Sequence, residues 1–172
     1  MILSFTVYGK PEPAGSKTPG RSKTGGMFVR DSNPNAADWK REVKAAAGPA
    51  MGSRELAAGP LRLEAVFYLP RPKGHYGTGR NAGTVRGAAP AYPIVKPDAT
   101  KLLRAVEDAL TGIVWRDDAQ IVEQLVRKRY GSPARIEVLV VDVVGSEGTA
   151  AHAASAQVPN VGQALLSFAR GG

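Results

Sequence analysis

Residues 96–121 carry the side chains in this sequence that are best suited to chemistry. Asp98 stands at the start of a helical pattern, Arg104 lies further along it, and the pair Asp117 and Asp118 follows its end. Clustered carboxylate oxygens with no Cys favour Mg²⁺, with Mn²⁺ as a substitute, over zinc. A metal held by carboxylates beside a cation suits phosphodiester hydrolysis, because the metal activates water and the cation neutralises charge that develops in the transition state. The stretch therefore predicts a metal-dependent nuclease site.

Each acid also has a simpler explanation. Asp98 can cap the helix, which is worth ~1 kcal/mol. Asp108 can form an i,i+4 ion pair with Arg104, worth a few tenths of a kcal/mol. Neighbouring acids such as Asp117 and Asp118 are commonly part of a solvated turn. A helix of roughly ten residues spans only ~15 Å, so the spacing permits the acids to converge but does not require it.

The helix in this stretch follows from its apolar spacing. Pro97 disfavours a helical conformation at Lys96, so the helix begins after Pro97, with Asp98 or Thr100 as its N-cap. The predicted core stripe consists of Leu102, Leu103, Val106, Ala109, Leu110 and Ile113. Lys101 falls on the opposite, polar face, together with the charged residues named above. Gly112 ends the helix.

The remaining elements are predicted from periodicity and from Gly and Pro positions. We expect strands at 2–8, 61–69, 121–130 and 136–144, a short strand at 27–29, a loop from 9 to 26, and a helix at about 36–47 that Asn35 caps and Gly48-Pro49 ends. The order β-α-β-α-β-β predicts an α+β fold in which two helices pack on a mainly antiparallel or mixed sheet.

Composition narrows the class of protein. The 172 residues suit one domain, which we place at 1–144, and an Ala-, Ser- and Gly-rich tail at 145–172 is expected to be disordered. The net charge of +8 favours a polyanionic partner. The absence of Cys and the placement of His75 and His152 outside the central stretch disfavour a zinc site. We see no signal peptide and no apolar run long enough for a membrane span, so we expect a soluble, intracellular protein.

Basic residues outside the helix are the predicted DNA-binding surface. The loop from 71 to 95 contains Lys and Arg and no acid, and the strand at 121–130 ends in a basic run. The predicted contacts are Arg71, Lys73, Arg80, Arg86, Lys96, Lys101, Arg127, Lys128 and Arg129. The segment Gly15-Ser16-Lys17-Thr18 is expected to be a mobile basic loop and not a nucleotide-binding loop, because that motif needs Gly directly before the Lys and another Gly five residues earlier.

The order of residues in 96–121 resembles the RusA family of Holliday junction resolvases, many of which are carried by phages and prophages. The resemblance rests on Lys96-Pro97-Asp98, Leu102-Leu103-Arg104, Asp108-Ala109-Leu110-Thr111 and Val114-Trp115-Arg116-Asp117-Asp118-Ala119-Gln120-Ile121. It implies a homodimer in the bacterial cytoplasm that binds four-way DNA junctions and, with Mg²⁺, nicks two strands symmetrically. It also implies that Asp98 and Asp118 are catalytic metal ligands, that Asp117 is their companion, and that Asp108 matches a family acid.

Two positions depart from the family pattern. Thr100 stands where a second Asp is usual, and Arg104 stands where a catalytic Lys is usual. Arg104 keeps the positive charge but has a planar fork in place of an ammonium. For the missing carboxylate, Asp117, Asp108 and Glu64 are the alternatives. If none replaces it, metal affinity is weaker, or the protein binds junctions without cutting them. A basic RNA- or nucleotide-binding domain is a further reading that rests on charge alone.

Overall fold

A four-stranded sheet with two helices on one face forms the body of the protein. The computed structural model describes residues 2–143. Its elements are β1 (Ile2–Tyr8), β2 (Lys17–Arg21), β3 (Met27–Asp31), α1 (Ala36–Met51), β4 (Leu61–Leu69), α2 (Ala99–Leu110), β5 (Ile121–Tyr130) and β6 (Arg135–Asp142). The predicted α+β class is confirmed. Val144 and the predicted tail lie outside the described residues.

The sheet is mixed, as predicted, with strand order β1-β6-β4-β5. β6 is antiparallel to both of its neighbours, whereas β4 and β5 are parallel and are joined through α2. Alternate side chains of β4, among them Leu61, Leu63 and Phe67, are fully buried in the core that α1 and α2 share. The parallel pair matters for the site, because it makes α2 run back along β5 in the opposite direction.

The first helix is longer than its sequence pattern predicts. Gly48-Pro49 was expected to end it, but α1 continues to Met51 and includes Pro49. The prediction is wrong because Met51 is buried one turn beyond Ala47, so the apolar face extends past the proline. The helix ends at Gly52, which has a positive φ of 58°, a backbone conformation that glycine adopts without strain. Asn35 is the N-cap by position, but its side chain forms no capping hydrogen bond.

The expected loop at 9–26 contains a strand that the sequence pattern did not predict. Residues Lys17–Arg21 pair with Met27–Asp31 in a separate two-stranded ribbon. Its composition hid it, since Pro19 and Gly20 are poor strand residues in isolation. The glycine at position 20 is required by close packing, because a Cβ there would lie 2.6 Å from the Phe28 ring.

The second helix and the last two strands agree with their predictions. α2 follows Asp98, and Leu102, Val106 and Ala109 of its apolar stripe are fully buried. β5 spans 121–130 as expected, whereas β6 begins at Arg135, one residue earlier than predicted, and ends at Asp142 although the prediction continued through Val143. None of the described helices is long and apolar enough to cross a membrane.

Candidate active site on the second helix

Asp98 stands at the N-terminus of α2 with its carboxylate available. Its backbone is extended and takes the N-cap position, but its side chain forms no capping hydrogen bond. The side chain is 54% exposed, and the nearest ammonium, Lys101 Nζ, is 4.0 Å from Asp98 Oδ2. The capping explanation for this residue is therefore not realised, and both carboxylate oxygens remain open to a ligand.

The backbone before Asp98 is held by a side chain of the sheet. Lys128, on β5, donates hydrogen bonds of 2.8 Å to the carbonyl oxygens of both Val95 and Pro97. Lys128 pairs in register with Phe67 of β4, so its backbone is fixed by pairing of the edge strand β5 with β4. The peptide that leads into Asp98 is thereby tied to the sheet.

Asp117 and Asp118 lie at the start of a single turn of 3₁₀ helix, Asp118–Gln120, for which Asp117 is the N-cap. Asp117 caps this turn, since its Oδ1 accepts a 2.8 Å hydrogen bond from the backbone N–H of Ala119. Gln120 completes the capping box and also donates, through Nε2, to the carbonyl oxygens of Ala57 and Gly59 at 2.8 and 3.2 Å. Asp117 therefore has a structural task, while the exposed Asp118 points from a fixed turn.

Within one chain, Asp98 and Asp118 lie toward opposite ends of α2. Glu107 is nine residues beyond Asp98, or about 14 Å along the helix axis. On β5, the contact of Gln124 with Glu107 and the contact of Lys128 with Pro97 are four residues apart, or about 13 Å. Both measures agree, and Asp118 precedes Gln124 on the side away from Asp98.

Glu107 is the acid that accompanies Asp118. Burial raises the pKa of Glu107 above its ordinary value, the carboxylates of Asp118 and Asp108 raise the pKa further, and Arg104 lowers it. Glu107 Oε1 accepts a 2.5 Å hydrogen bond from Gln124 Nε2. Glu107 lies two turns from Thr100 on the same side of α2. That side of the helix therefore carries a carboxylate, although the residue at position 100 is a threonine.

The other acids proposed to replace the missing carboxylate have partners of their own. Asp108 Oδ2 lies 2.6 Å from the ammonium of Lys40 on α1, so this long-range bridge engages it instead of the expected pair with Arg104. Glu64 is 2% exposed on β4, with Arg62 at 2.8 Å and Arg127 at 3.6 Å. Glu64 is buried, whereas Asp108 is exposed but is already engaged by Lys40.

Three cations from two helices border one cavity along α2. Lys101 and Arg104 of α2 and Lys40 of α1 line a space of about 440 Å³. Gly15 and Ser16 close it on the side of the N-terminal loop. Only Asp108, which pairs with Lys40, brings a negative charge to this cavity, so the lining has a net positive charge that suits a phosphate group.

A second cavity lies next to the first at the N-terminus of α2. It has a similar volume of about 440 Å³ and is lined by Asp98, Lys101 and Lys96, together with residues of the segment 10–16. Lys101 borders both cavities, so a chain of phosphates can pass from one to the other across the exposed end of α2.

The predicted DNA contacts divide into two groups. The first group is engaged within the protein: Arg71 bonds the Pro90 carbonyl at 2.8 Å, Arg127 approaches Glu64, Lys128 bonds the backbone before Asp98, and Arg129 stacks on a tyrosine ring. The exposed group consists of Lys73, Arg80, Arg86, Lys96 and Lys101. The structure gathers only Lys96 and Lys101 of these at the two cavities beside Asp98.

Three side chains that matter here were not singled out from the sequence. The prediction from the sequence gave Lys40, Glu107 and Gln120 no role in the site. The bonds of Lys40 and Gln120 to residues more than 60 positions away depend on tertiary packing. Glu107 alone had a local signal, its i+7 spacing from Thr100.

The donor chemistry fits a divalent cation, although one chain does not assemble a full ligand set. Asp98, Asp118 and Glu107 offer the hard oxygen ligands that Mg²⁺ prefers. Within residues 2–143, no three acidic or histidine side chains lie close enough together to hold a metal ion.

A family model identifies the class of protein. The model described as "Endodeoxyribonuclease RusA" matches residues 10–141, which include the ribbon, both helices and three of the four strands of the sheet. The chain therefore belongs to the RusA family of Holliday junction resolvases, as the resemblance predicted, and is an endodeoxyribonuclease, a hydrolase that acts on DNA.

A curated relative has the same extent. "Uncharacterized protein YqaN" of Bacillus subtilis strain 168 is 27% identical over 141 residues, which cover 82% of this chain and 96% of the relative. The aligned length of 141 residues is much longer than the stretch 96–121, so the similarity is not confined to that motif.

Proposed function

We propose that this protein is a Mg²⁺-dependent endonuclease that resolves four-way DNA junctions by paired, symmetric nicks. The observation that carries the proposal is the exposed Asp98 at the start of α2, which lines one cavity together with Lys101, while Lys101 also lines a neighbouring cavity with Arg104 and Lys40. An acid for a metal and nearby cations for a phosphate, carried by two packed helices, are the parts that phosphodiester hydrolysis needs. The expected place of action is the bacterial cytoplasm.

The cations of the cavity would bind and orient the scissile strand. Arg104 has a planar fork that can pair with two oxygens of one phosphate, and it would stabilise the charge that develops during cleavage. Lys101 and Lys40 would hold the neighbouring phosphate. Asp108 keeps the Lys40 ammonium in place at the cavity wall, because the two are 2.6 Å apart.

Asp98 and Asp118 would hold the metal, and Glu107 would assist beside Asp118. When bound, Mg²⁺ would supply a water activated for attack and a Lewis acid for the phosphate oxygens. Asp117 was also expected to be a ligand, but its cap of the 3₁₀ turn makes it a support for Asp118 in this proposal. A Mn²⁺ ion would suit the same oxygens.

A homodimer would bring the two catalytic acids together. Two oxygens bound to one Mg²⁺ at about 2.1 Å lie at most about 4 Å from each other. The end-to-end placement of Asp98 and Asp118 on α2 exceeds this by a wide margin. In a two-fold dimer, Asp118 of one subunit can approach Asp98 of its partner, and the symmetry creates two equal sites. Two sites related by a two-fold axis suit symmetric nicks in two strands.

The most direct test compares branched with linear DNA. A labelled synthetic four-way junction and a linear duplex with the same arm sequence should be incubated with the protein in MgCl₂. We expect paired nicks in the junction and little cutting of the duplex. Equal cutting of both substrates would show a nuclease without selectivity for structure and would contradict the proposal.

A protein that binds junctions but cuts weakly or not at all is the second candidate. The observation that favours it is Thr100, which offers at best a hydroxyl where the family usually has a carboxylate. The variant Thr100→Asp separates the two candidates. A gain of cutting from zero would support the second, whereas cutting by the unmodified protein would dismiss it.

A further inference from the structure

We propose that Lys128 is a positioning residue that fixes Asp98 in the active site, and that it is not a contact for DNA. This inference rests on the function proposed above for Asp98. The sequence suggested a DNA contact, because Lys128 belongs to the basic run at the end of β5. Its ammonium instead donates to two backbone carbonyls of the segment that enters α2.

The two acceptors frame the entry to the catalytic residue. One is the carbonyl oxygen of Val95 and the other is that of Pro97, each 2.8 Å from Lys128 Nζ. The Pro97 carbonyl belongs to the peptide whose nitrogen is that of Asp98. Holding this peptide restricts the direction in which Asp98 leaves the backbone, and therefore the position of its carboxylate.

Regular structure does not hold the segment before α2; besides Lys128, the buried Pro93 and the stacking of Arg129 on the Tyr92 ring anchor its first part. Between the end of β4 at Leu69 and the start of α2, the described chain has only two 3₁₀ turns as regular helix. Ile94 and Val95 are 77% and 62% exposed, so their apolar side chains do not anchor the backbone by burial. A charged donor with two acceptors is then a strong restraint, since hydrogen bonds to charged groups contribute about 1.5–3 kcal/mol.

The same bonds make Lys128 a poor choice for DNA. An ammonium has three donors, and two of those of Lys128 already have protein acceptors. A phosphate would have to share the third donor or break the bonds to Val95 and Pro97. Exposed cations such as Arg86 have no such conflict.

The test replaces Lys128 with Met, which keeps the length of the side chain and removes the ammonium. Arg86→Met is the matched control, because it removes one positive charge from an exposed predicted contact. Hydrogen exchange of peptides that cover residues 92–103 reports on the segment directly. We expect faster exchange there in Lys128→Met, unchanged exchange in β4 and β6, and no change in this segment in Arg86→Met.

Two functional measurements distinguish positioning from contact. Without divalent metal, Lys128→Met should bind the junction as tightly as the unmodified protein and with the same salt slope. Arg86→Met should weaken binding and reduce the slope of log K against log salt by about 1. With Mg²⁺, Lys128→Met should cut about 10- to 100-fold more slowly, as is typical when the outer support of a metal ligand is lost. Lys128→Arg, which can also donate to both carbonyls, should restore much of the rate.

Unchanged exchange at 92–103, or a reduced salt slope in Lys128→Met, would overturn the inference. If Lys128→Met does not fold, Lys128→Arg still tests it, because exchange faster than in the unmodified protein would contradict the bonding argument. Absence of cutting by the unmodified protein would instead count against the proposed function. The exchange and binding measurements need no catalysis, so the two failures are distinguishable.

Discussion

Heterodimers that carry Asp98→Asn in one subunit and Asp118→Asn in the other should regain the cutting that each variant homodimer has lost. If Asp118 of one subunit completes the site of its partner, such a heterodimer has one site with both substitutions and one with neither. The intact site should nick one strand at about half the rate of the unmodified dimer, because a two-fold dimer has two equal sites. Paired cutting should be absent.

The expectation follows from the length of α2. Asp98 and Glu107 are about 14 Å apart along the axis, and Asp118 lies on the far side of Glu107. Ligand oxygens on one Mg²⁺ are within about 4 Å of each other. A single subunit cannot close this gap by side-chain rotation, since an aspartate carboxylate extends only a few ångströms from its backbone.

Purified heterodimers make the assay decisive. Co-expression with two different affinity tags, followed by two purification steps, gives the mixed species free of both homodimers. In the control heterodimer, one subunit carries both Asp98→Asn and Asp118→Asn, and the other subunit is unmodified. With shared sites this control has no intact site and should not cut. With sites built within one subunit the control should cut at half rate and the mixed heterodimer should be inactive, which would refute the shared site.

Three further predictions concern binding and stability. Lys40→Met should weaken junction binding several-fold and lower the slope of log K against log salt, because Lys40 lines the cavity. Lys44→Met, on the exposed side of α1, is the control and should change binding only by the loss of one distant charge. Equal effects of the two variants would show that Lys40 does not contact DNA through the cavity. Glu107→Gln should raise the melting temperature at pH 7 without divalent metal and have little effect near pH 4. The raised pKa of Glu107 means that the folded state favours the protonated form, so stability is present below 4.5 and is lost as pH rises through the folded-state pKa; a lower melting temperature at pH 7 would contradict this. Phe67→Ala should reduce the free energy of unfolding by about 3–5 kcal/mol in a denaturant titration, because the ring is fully buried, and a loss under about 1 kcal/mol would show that the site is looser than its burial implies.

Local patterns predicted the elements that depend on local rules. The alternation in 61–69 and the apolar stripe of α2 match β4 and the buried face of the helix, because burial on one face imposes the period directly. β2 was missed because its strand character comes from pairing with β3 rather than from its own composition. The end of α1 was misplaced because burial of Met51 outweighs the proline signal.

The candidate site was predictable in composition and less so in arrangement. The residue types around Asp98 indicated metal-dependent chemistry without any structure. The partners that decide each role are distant in sequence: Asp108 pairs with Lys40, and Lys128 bonds the segment before α2. No periodic pattern encodes such contacts, since they depend on how helices and strands pack.

Cutting of a cruciform-forming supercoiled plasmid in MgCl₂ tests the central claim most directly. Paired nicks across the junction convert the plasmid to the linear form, whereas single nicks give open circles. We expect the unmodified protein to give linear product and Asp118→Asn to leave the plasmid supercoiled while it still binds the junction. The claim of a metal-dependent resolvase is contradicted if the unmodified protein leaves the plasmid supercoiled in both Mg²⁺ and Mn²⁺, or if Asp118→Asn yields the same linear product.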